Sequence, residues 1–575
     1  MTAPGGAERP QAGEPPCGAM SPVLTETVRV VHNLRVPMRD GVELSLDLVR
    51  PDLAGPLPVV LVRTPYDKVN SHRAGLFARL ARHGYIVALE DCRGRFNSDG
   101  VFQPYFHEAD DGYDTVEWVA AQEWCDGRVG MLGGSYSAQA AWHAASRRPP
   151  HLAAIVPVVS PPSSLWRNEP IFNGCLMLGI AEWMVGMGSR SWQIPEFMGG
   201  LFSEYQQYFD TLPVAALPAA AGTHSAWWDE MMAHPAYDDF WRQGSYGNHA
   251  DMDVPALNVT GWWDLNFPGA PSNFEAMQSS VAADKQKLVI GPWTHIANSS
   301  RELNGIDFGE HAVIALDDYI VRFLDRWVKG VQNGIDTEKP VYVFVIGANE
   351  WWAEDQWPLP DSVDTPFYLH SGGNANTQAG DGSLSTAPPG AEPADGFSYD
   401  PDDPVKVVWK IQDGPVDDAP VTARADCLCY TSEPLTVPLD VVGWVTARLY
   451  ASSSALDTDW HVRLVDVHPD GTARFLCRGS LRARFRESVE KPELLEPGKP
   501  TCFEFTMDGC GIRFLPGHRI RVEVTSSWLT RYDRNTNSGA ENFFADDHVV
   551  VAEQQIYHEP GLESCVLLPV VHRSS

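Results

Sequence analysis

Short runs of apolar residues alternate with helix-patterned segments from residue 59 onward, and this alternation limits the fold more than any other feature. Val59-Val60-Leu61-Val62 is apolar at every position, as a strand covered on both faces must be. Residues 73–83 then place Leu76, Phe77 and Leu80 on one helical face, and 85–89 return to an apolar run. Residues 109–124 read as a helix with Val116 and Val119 inward. Val129-Gly130-Met131-Leu132 reads as a strand leading into an Ala-rich helix, and 153–159 as a further strand. Such alternation predicts an α/β fold, a parallel sheet with helices on both faces. The pattern breaks at 166–249, which holds six Trp (166, 183, 192, 227, 228, 241) and six Met, and resumes with strands at 256–260 and 287–290 and an amphipathic helix at 313–328. The sheet domain is therefore expected in two pieces, 21–165 and 250–350, around a helical cap at 166–249.

The C-terminal part is of another kind. Residues 351–405 contain ten acids and no Lys or Arg, and 371–404 are rich in Gly, Ser, Ala, Pro and Asp. This reads as a linker or a loop-rich start to the next domain. Beyond it the apolar period becomes two, as in 443–450 and 519–524, with turn signals at Pro469-Asp470-Gly471 and Pro516-Gly517. That predicts a β-sandwich over 351–575. Residues 1–20 have no basic start and no apolar run, so they read as a disordered leader rather than a secretory signal.

Charge and cysteine content exclude some functions. The net charge of −32 divides evenly, −16 in residues 1–350 and −16 in 351–575. An evenly negative surface disfavours nucleic acid and anionic membranes, and no run of 18 apolar residues occurs to span a bilayer. The ten cysteines form no C-x-x-C pair, so neither a disulfide scaffold nor a zinc motif is expected, and a reducing cytoplasm is the expected location. Cys427 and Cys429 fall on one face of a strand and read as core. The histidines at 107, 224, 234, 461 and 468 show no ligand spacing and read as structural.

Gly133-Gly134-Ser135-Tyr136-Ser137 follows a strand and opens a helix. This is the nucleophile-elbow pattern G-x-S-x-G with Ser137 in place of the last glycine. A serine hydroxyl needs a base, and the base an orienting acid. Both are expected on loops after later strands, in the order acid then His. The strand ending at Thr260 runs into Gly261-Trp262-Trp263-Asp264, and the strand ending at Ile290 into Gly291-Pro292-Trp293-Thr294-His295. The catalytic set is therefore expected to be Ser135, His295 and Asp264. An oxyanion needs donors: the Tyr136 backbone N–H is one, and Tyr66, in Arg63-Thr64-Pro65-Tyr66, is either a second or a packed loop residue. Arg93, Arg95 and Asp99 are expected to anchor their loop through a salt bridge rather than to hold an anion.

Together with Asp91-Cys92-Arg93-Gly94, 36–42, 234–241 and 533–537, these motifs resemble the cocaine esterase-like hydrolases. These belong with the X-Pro dipeptidyl-peptidase (S15) and α-amino acid ester hydrolase superfamily, and the resemblance covers nearly the whole chain. It implies an α/β-hydrolase domain, a helical cap and a C-terminal jelly-roll. It also implies Ser135 as nucleophile, His295 as base, Asp264 as its orienter and the Tyr66 hydroxyl as an oxyanion donor, with no metal or cofactor. Trp166 and Trp183 fall near cap positions that contact an aromatic acyl group in that family, and Trp263 adjoins Asp264. All three are substrate-binding candidates, core packing being the alternative. The run Asp264-Leu265-Asn266-Phe267 lacks the second acid found in the amino acid ester hydrolases, which argues against an α-amino acyl group. The expected substrate is a small-molecule ester or amide with a hydrophobic or aromatic acyl part, and the candidate assembly is a homodimer. An amidase, an acyltransferase, or a non-catalytic binding protein on a hydrolase scaffold are the competing readings.

Overall fold

The computed structural model describes residues 13–573 apart from 17, 19, 72–74, 193–204, 407–413 and 418. Its first sheet has ten strands: β1 (Val28–Pro37), β2 (Glu43–Pro51), β3 (Leu57–Thr64), β4 (Ile86–Asp91), β5 (Cys125–Gly134), β6 (Leu152–Val158), β7 (Ala256–Trp263), β8 (Gln286–Thr294), β9 (Val341–Val345) and β10 (Glu350–Glu354). Their spatial order is β1-β2-β4-β3-β5-β6-β7-β8-β9-β10. The seven from β4 to β9 in that order run parallel. β1 and β2 close one edge antiparallel and β10 the other.

Alternate residues of one strand enter different cores, as the period of two requires. Val59 and Leu61 pack with Val116 of helix α2 (Glu108–Ala120) and Trp142 of helix α3 (Tyr136–Ser146). Val60 and Val62 pack with Leu80 of helix α1 (Gly75–Arg82) and with Phe323 and Leu324, which lie on the expected 313–328 helix, here Leu316–Trp327. Both faces are thus covered, which is why the middle of a central strand such as β3, residues 59–62, is apolar at every position. β1 escapes the pattern because it is an exposed edge strand whose polar residues face water.

The second sheet links twelve strands between Ser362 and Val571, nearly all antiparallel. It is the β-rich C-terminal region that the change of period predicts. Of the two readings of residues 371–404, a loop-rich start to the second domain and a linker, the first holds: Ser383–Ser385 and Asp395–Tyr399 are strands of this sheet. The insertion carries helices Leu178–Gly186, Ala226–Met232 and Asp239–Gln243, and also a two-stranded ribbon, Ile171–Phe172 with Cys175–Leu176, that its sequence does not signal. Its tryptophans share one apolar core with the second sheet. Most of the leader, residues 1–12, lies outside the described residues. The Pro16 carbonyl accepts a 2.5 Å hydrogen bond from Arg322, so Pro16 is held against the body.

Candidate active site

Ser135 lies between β5 and α3 with φ 56° and ψ −124°, a region that costs a non-glycine residue about 1–3 kcal/mol. A serine before a helix usually caps it by accepting a backbone N–H. Ser135 makes no such bond, and its hydroxyl turns instead to His295, with Oγ and Nε2 3.0 Å apart. The tight turn explains the motif: a Cβ at Gly133 would lie 2.5 Å from the backbone and Cβ of Ser137. Positions two before and two after the serine face each other, so glycine is required at the first and a small residue suffices at the second. Ser135 is half-buried and Gly134 exposed, which leaves the hydroxyl open to solvent.

Asp264 and His295 follow the carboxyl ends of β7 and β8, the rim where α/β sites form. His295 Nδ1 lies 2.7 Å from Asp264 Oδ1. The carboxylate is 1% exposed and accepts two further bonds, from the Thr260 hydroxyl at 2.7 Å and the Asn266 N–H at 3.0 Å. The register of β7 and β8 shifts between Gly291 and Thr294. Trp293 fills that irregularity, and a Cβ at Gly261 would lie 2.2 Å from its carbonyl oxygen. The Trp293 and Trp262 indoles donate to the Ala312 and Phe344 carbonyls. These motif tryptophans therefore hold the strand ends that carry the acid and the base.

The donors sit across the serine. The first N–H groups of a helix have no intrahelical acceptor, and that of Tyr136, at the start of α3, is one of them. The Tyr66 phenol lies within hydrogen-bonding reach of the Ser135 side chain. Burial raises its pKa strongly, and the serine contact only partly opposes this. It therefore keeps its proton and can donate. Arg95, the second arginine of its loop, donates to the Pro65 carbonyl at 3.0 Å and to that of Met187, joining the Tyr66 loop to the insertion. The expected salt bridge is made by Arg93, to Asp111 and Asp40. Behind the site, buried Arg63 binds Glu90 at 2.7 Å and Glu108 at 2.6 Å, and Glu108 accepts the Tyr136 phenol at 2.8 Å.

Of the three candidate substrate-binding tryptophans, Trp183 reaches this place. Its ring stacks on Tyr136 at 5.7 Å and Tyr105 at 6.4 Å and meets Tyr66 edge-on at 6.5 Å. Trp166 is fully buried, its ring against Tyr237, Trp241 and Phe485. Trp263 packs on Phe308 and donates to the Phe475 carbonyl. Both have their ring contacts away from the serine, in the core that joins the insertion or the first sheet to the second. Three residues beside the site carry no sequence signal: Trp192, stacked on Tyr66 at 6.1 Å, and the pair Tyr105–Glu169. Glu169 accepts the Tyr105 hydroxyl at 2.5 Å. Burial raises its pKa, offset in part by Tyr105, His295 and Asn266. A buried acid this close to the base had no local pattern to reveal it.

Known proteins share this architecture. The X-Pro dipeptidyl-peptidase (S15 family) model matches residues 40–297, and the X-Pro dipeptidyl-peptidase C-terminal non-catalytic domain model matches 333–566. A cocaine esterase from Rhodococcus sp. (strain MB1 Bresler) is 37% identical over 573 residues, covering 95% of this chain and 99% of its own. Among solved structures, an α-amino acid ester hydrolase superposes with a TM-score of 0.82 at 26% identity, covering 99% of this chain and 100% of its own. An aminopeptidase from a marine sediment Thaumarchaeota archaeon gives 0.83 at 25% identity, covering 95% and 96%. Among the described residues, no helix is long and apolar enough to cross a membrane.

Proposed function

The chain belongs to the cocaine esterase-like serine hydrolases of the X-Pro dipeptidyl-peptidase (S15) superfamily and hydrolyses carboxylic esters; from that premise we propose that Ser135, His295 and Asp264 carry the reaction on esters with a hydrophobic or aromatic acyl group. The observation that carries this reading is the unbroken chain Ser135–His295–Asp264, at 3.0 and 2.7 Å, on the rim of the parallel sheet. His295 Nε2 takes the hydroxyl proton as Ser135 Oγ attacks the acyl carbonyl. Asp264, held by Thr260 and Asn266, fixes the Nδ1–H tautomer and favours the imidazolium that forms. The Tyr136 N–H and the Tyr66 hydroxyl hold the oxyanion. His295 returns the proton to the leaving alcohol, and a water activated by the same nitrogen releases the acid from the acyl-enzyme. The aromatic wall of Trp183, Tyr105 and Trp192 suits a flat acyl group. Mass spectrometry after mixing with a benzoyl ester tests this: an adduct on the Ser135 peptide is expected, and turnover with the adduct elsewhere would refute it.

Glu169 favours a second reading, an acyl group bearing an α-ammonium. The run after Asp264 lacks a second acid, but Glu169 brings a carboxylate within electrostatic range of His295 from a different loop. Matched p-nitrophenyl esters of phenylacetate and phenylglycine separate the two readings. Preference for the amino ester, lost in Glu169→Gln, supports the second; indifference to the amine in both proteins rejects it.

A further inference from the structure

We propose that Asp466, His468 and His518 form a binding site for a divalent transition metal of the zinc class, in the cleft between the two sheets. The register of the second sheet assembles it. Asp459–Val467 and Arg519–Thr525 are antiparallel neighbours that pair Asp466 with Ile520 and Val467 with Arg519. One further step sets His468 opposite His518. Asp466 and His468, two residues apart, face the same side.

The donor atoms already converge. Asp466 Oδ1 and Oδ2 lie 2.9 and 3.0 Å from His518 Nδ1, and Oδ2 lies 3.4 Å from His468 Nε2. The two imidazole centroids are 4.4 Å apart. Tetrahedral ligation at about 2.0–2.1 Å sets donor atoms about 3.3 Å apart, so slight side-chain spreading would admit an ion. Imidazole and carboxylate are donors that suit zinc and its neighbours.

The surroundings favour a cation. Asp466 is 6% exposed, and its ion-pair partners are these two histidines; among the described residues no Lys or Arg pairs with it. A buried carboxylate is costly without a counter-charge. Of the nearby charges, Arg513 is held by Asp440 and Glu350, Arg474 donates to the Pro415 carbonyl, and Asp470 adds a negative charge on the His468 turn. Both histidines sit on hydrogen-bonded turns: the His468 N–H donates to Thr472, and the His518 carbonyl accepts from Leu435. Trp263 of the first sheet, with Ile306 and Phe308 from the segment after β8, walls the same cleft. An ion there would tie two turns together against the wall that carries Trp263, the neighbour of Asp264.

The test is titration calorimetry and thermal melting of the full chain, stripped with chelator and then given zinc chloride. The expected result is one saturable equivalent and a raised melting temperature. His518→Gln and His468→Asn should each weaken binding at least about tenfold and remove the zinc-dependent rise, while keeping the circular dichroism of the metal-free wild type. Should one of them fail to fold, Asp466→Asn takes its place. The proposal is overturned by an absence of saturable binding, or by isotherms that the variants leave unchanged, since zinc would then be bound by other surface groups.

Discussion

Among the described residues, the Ser–His–Asp clusters at Ser135 and at Ser371 are built differently. At the rim, His295 uses both ring nitrogens, Nε2 toward Ser135 and Nδ1 toward Asp264. In the second sheet, Ser371 Oγ donates to Asp395 Oδ1 at 2.7 Å, while one nitrogen of His558, Nε2, faces both the Ser371 oxygen at 3.2 Å and Asp395 Oδ2 at 2.9 Å. The serine proton there is already committed to the acid, so the histidine cannot draw it. His558 and Asp395 are 0% exposed, and the other His558 nitrogen faces Glu392 at 3.3 Å. Residue types and short distances are thus common to the cluster we propose as the catalytic relay and to a buried network in the second sheet. What separates them is a histidine that sets serine and acid on opposite ring nitrogens, and a serine on a strained, half-buried turn.

The comparison can be broken most sharply at the serines. Ser135→Ala should lower kcat on p-nitrophenyl esters by about six orders of magnitude and abolish fluorophosphonate labelling. Ser371→Ala should retain both; a reversed outcome would move the active site to the second sheet. Asp264→Asn should cost about 10⁴-fold in kcat through the wrong imidazole tautomer, with folding unchanged. Next in size, Tyr66→Phe should lower kcat about 10²–10³-fold with little change in KM; an equal loss in substrate affinity would make Tyr66 a binding residue instead. Asp395→Ala should leave kcat of the folded enzyme unaltered and lower stability by about 3–5 kcal/mol, as when a buried pair loses one member, read by urea denaturation.

The smallest effect is in pH. Burial lowers the His558 pKa, but the hydrogen bond and charge of Asp395, with Glu392, more than offset this and raise it. Asp395 and Glu392 are depressed: burial raises them, and the histidines and nearby donors outweigh it. A raised histidine stabilises below its unfolded value and loses that contribution as pH rises through the folded one. Depressed carboxylates stabilise above their unfolded values and lose theirs as pH falls. The network should therefore contribute most between about pH 4.5 and 6.5. The gap in melting temperature between wild type and Asp395→Asn should be widest there and shrink toward pH 9; a gap independent of pH would mean the histidine stays neutral.

Legibility followed locality. The parallel strands and their helices were readable because each buried strand had to be apolar at every position and each covering helix apolar on one face. Ser135 was readable because its turn demands Gly133 in sequence. Asp264 and His295 were readable because a parallel sheet carries its later loops to the same rim. Trp183 and Trp166 looked alike, since an indole in a core and an indole beside a substrate need the same residue. Glu169 and Trp192 left no pattern, because they approach Ser135 from the insertion through space. The stretch 371–404 reads as a linker because its strands are short and its acids, Asp395 and Glu392, have distant partners.

The sequence by itself determined the α/β class of the first half, the β character of the second, and the order in which Ser135, Asp264 and His295 follow their strands. These depend on periodicity and on strain within a few neighbouring residues. Only the tertiary structure decided that His295, and not His558, sets serine and acid on opposite ring nitrogens, that Trp183 stacks on Tyr136, and that Asp466, His468 and His518 meet. Those depend on which nitrogen faces which oxygen and on strand register across some fifty residues, and no local spacing encodes either.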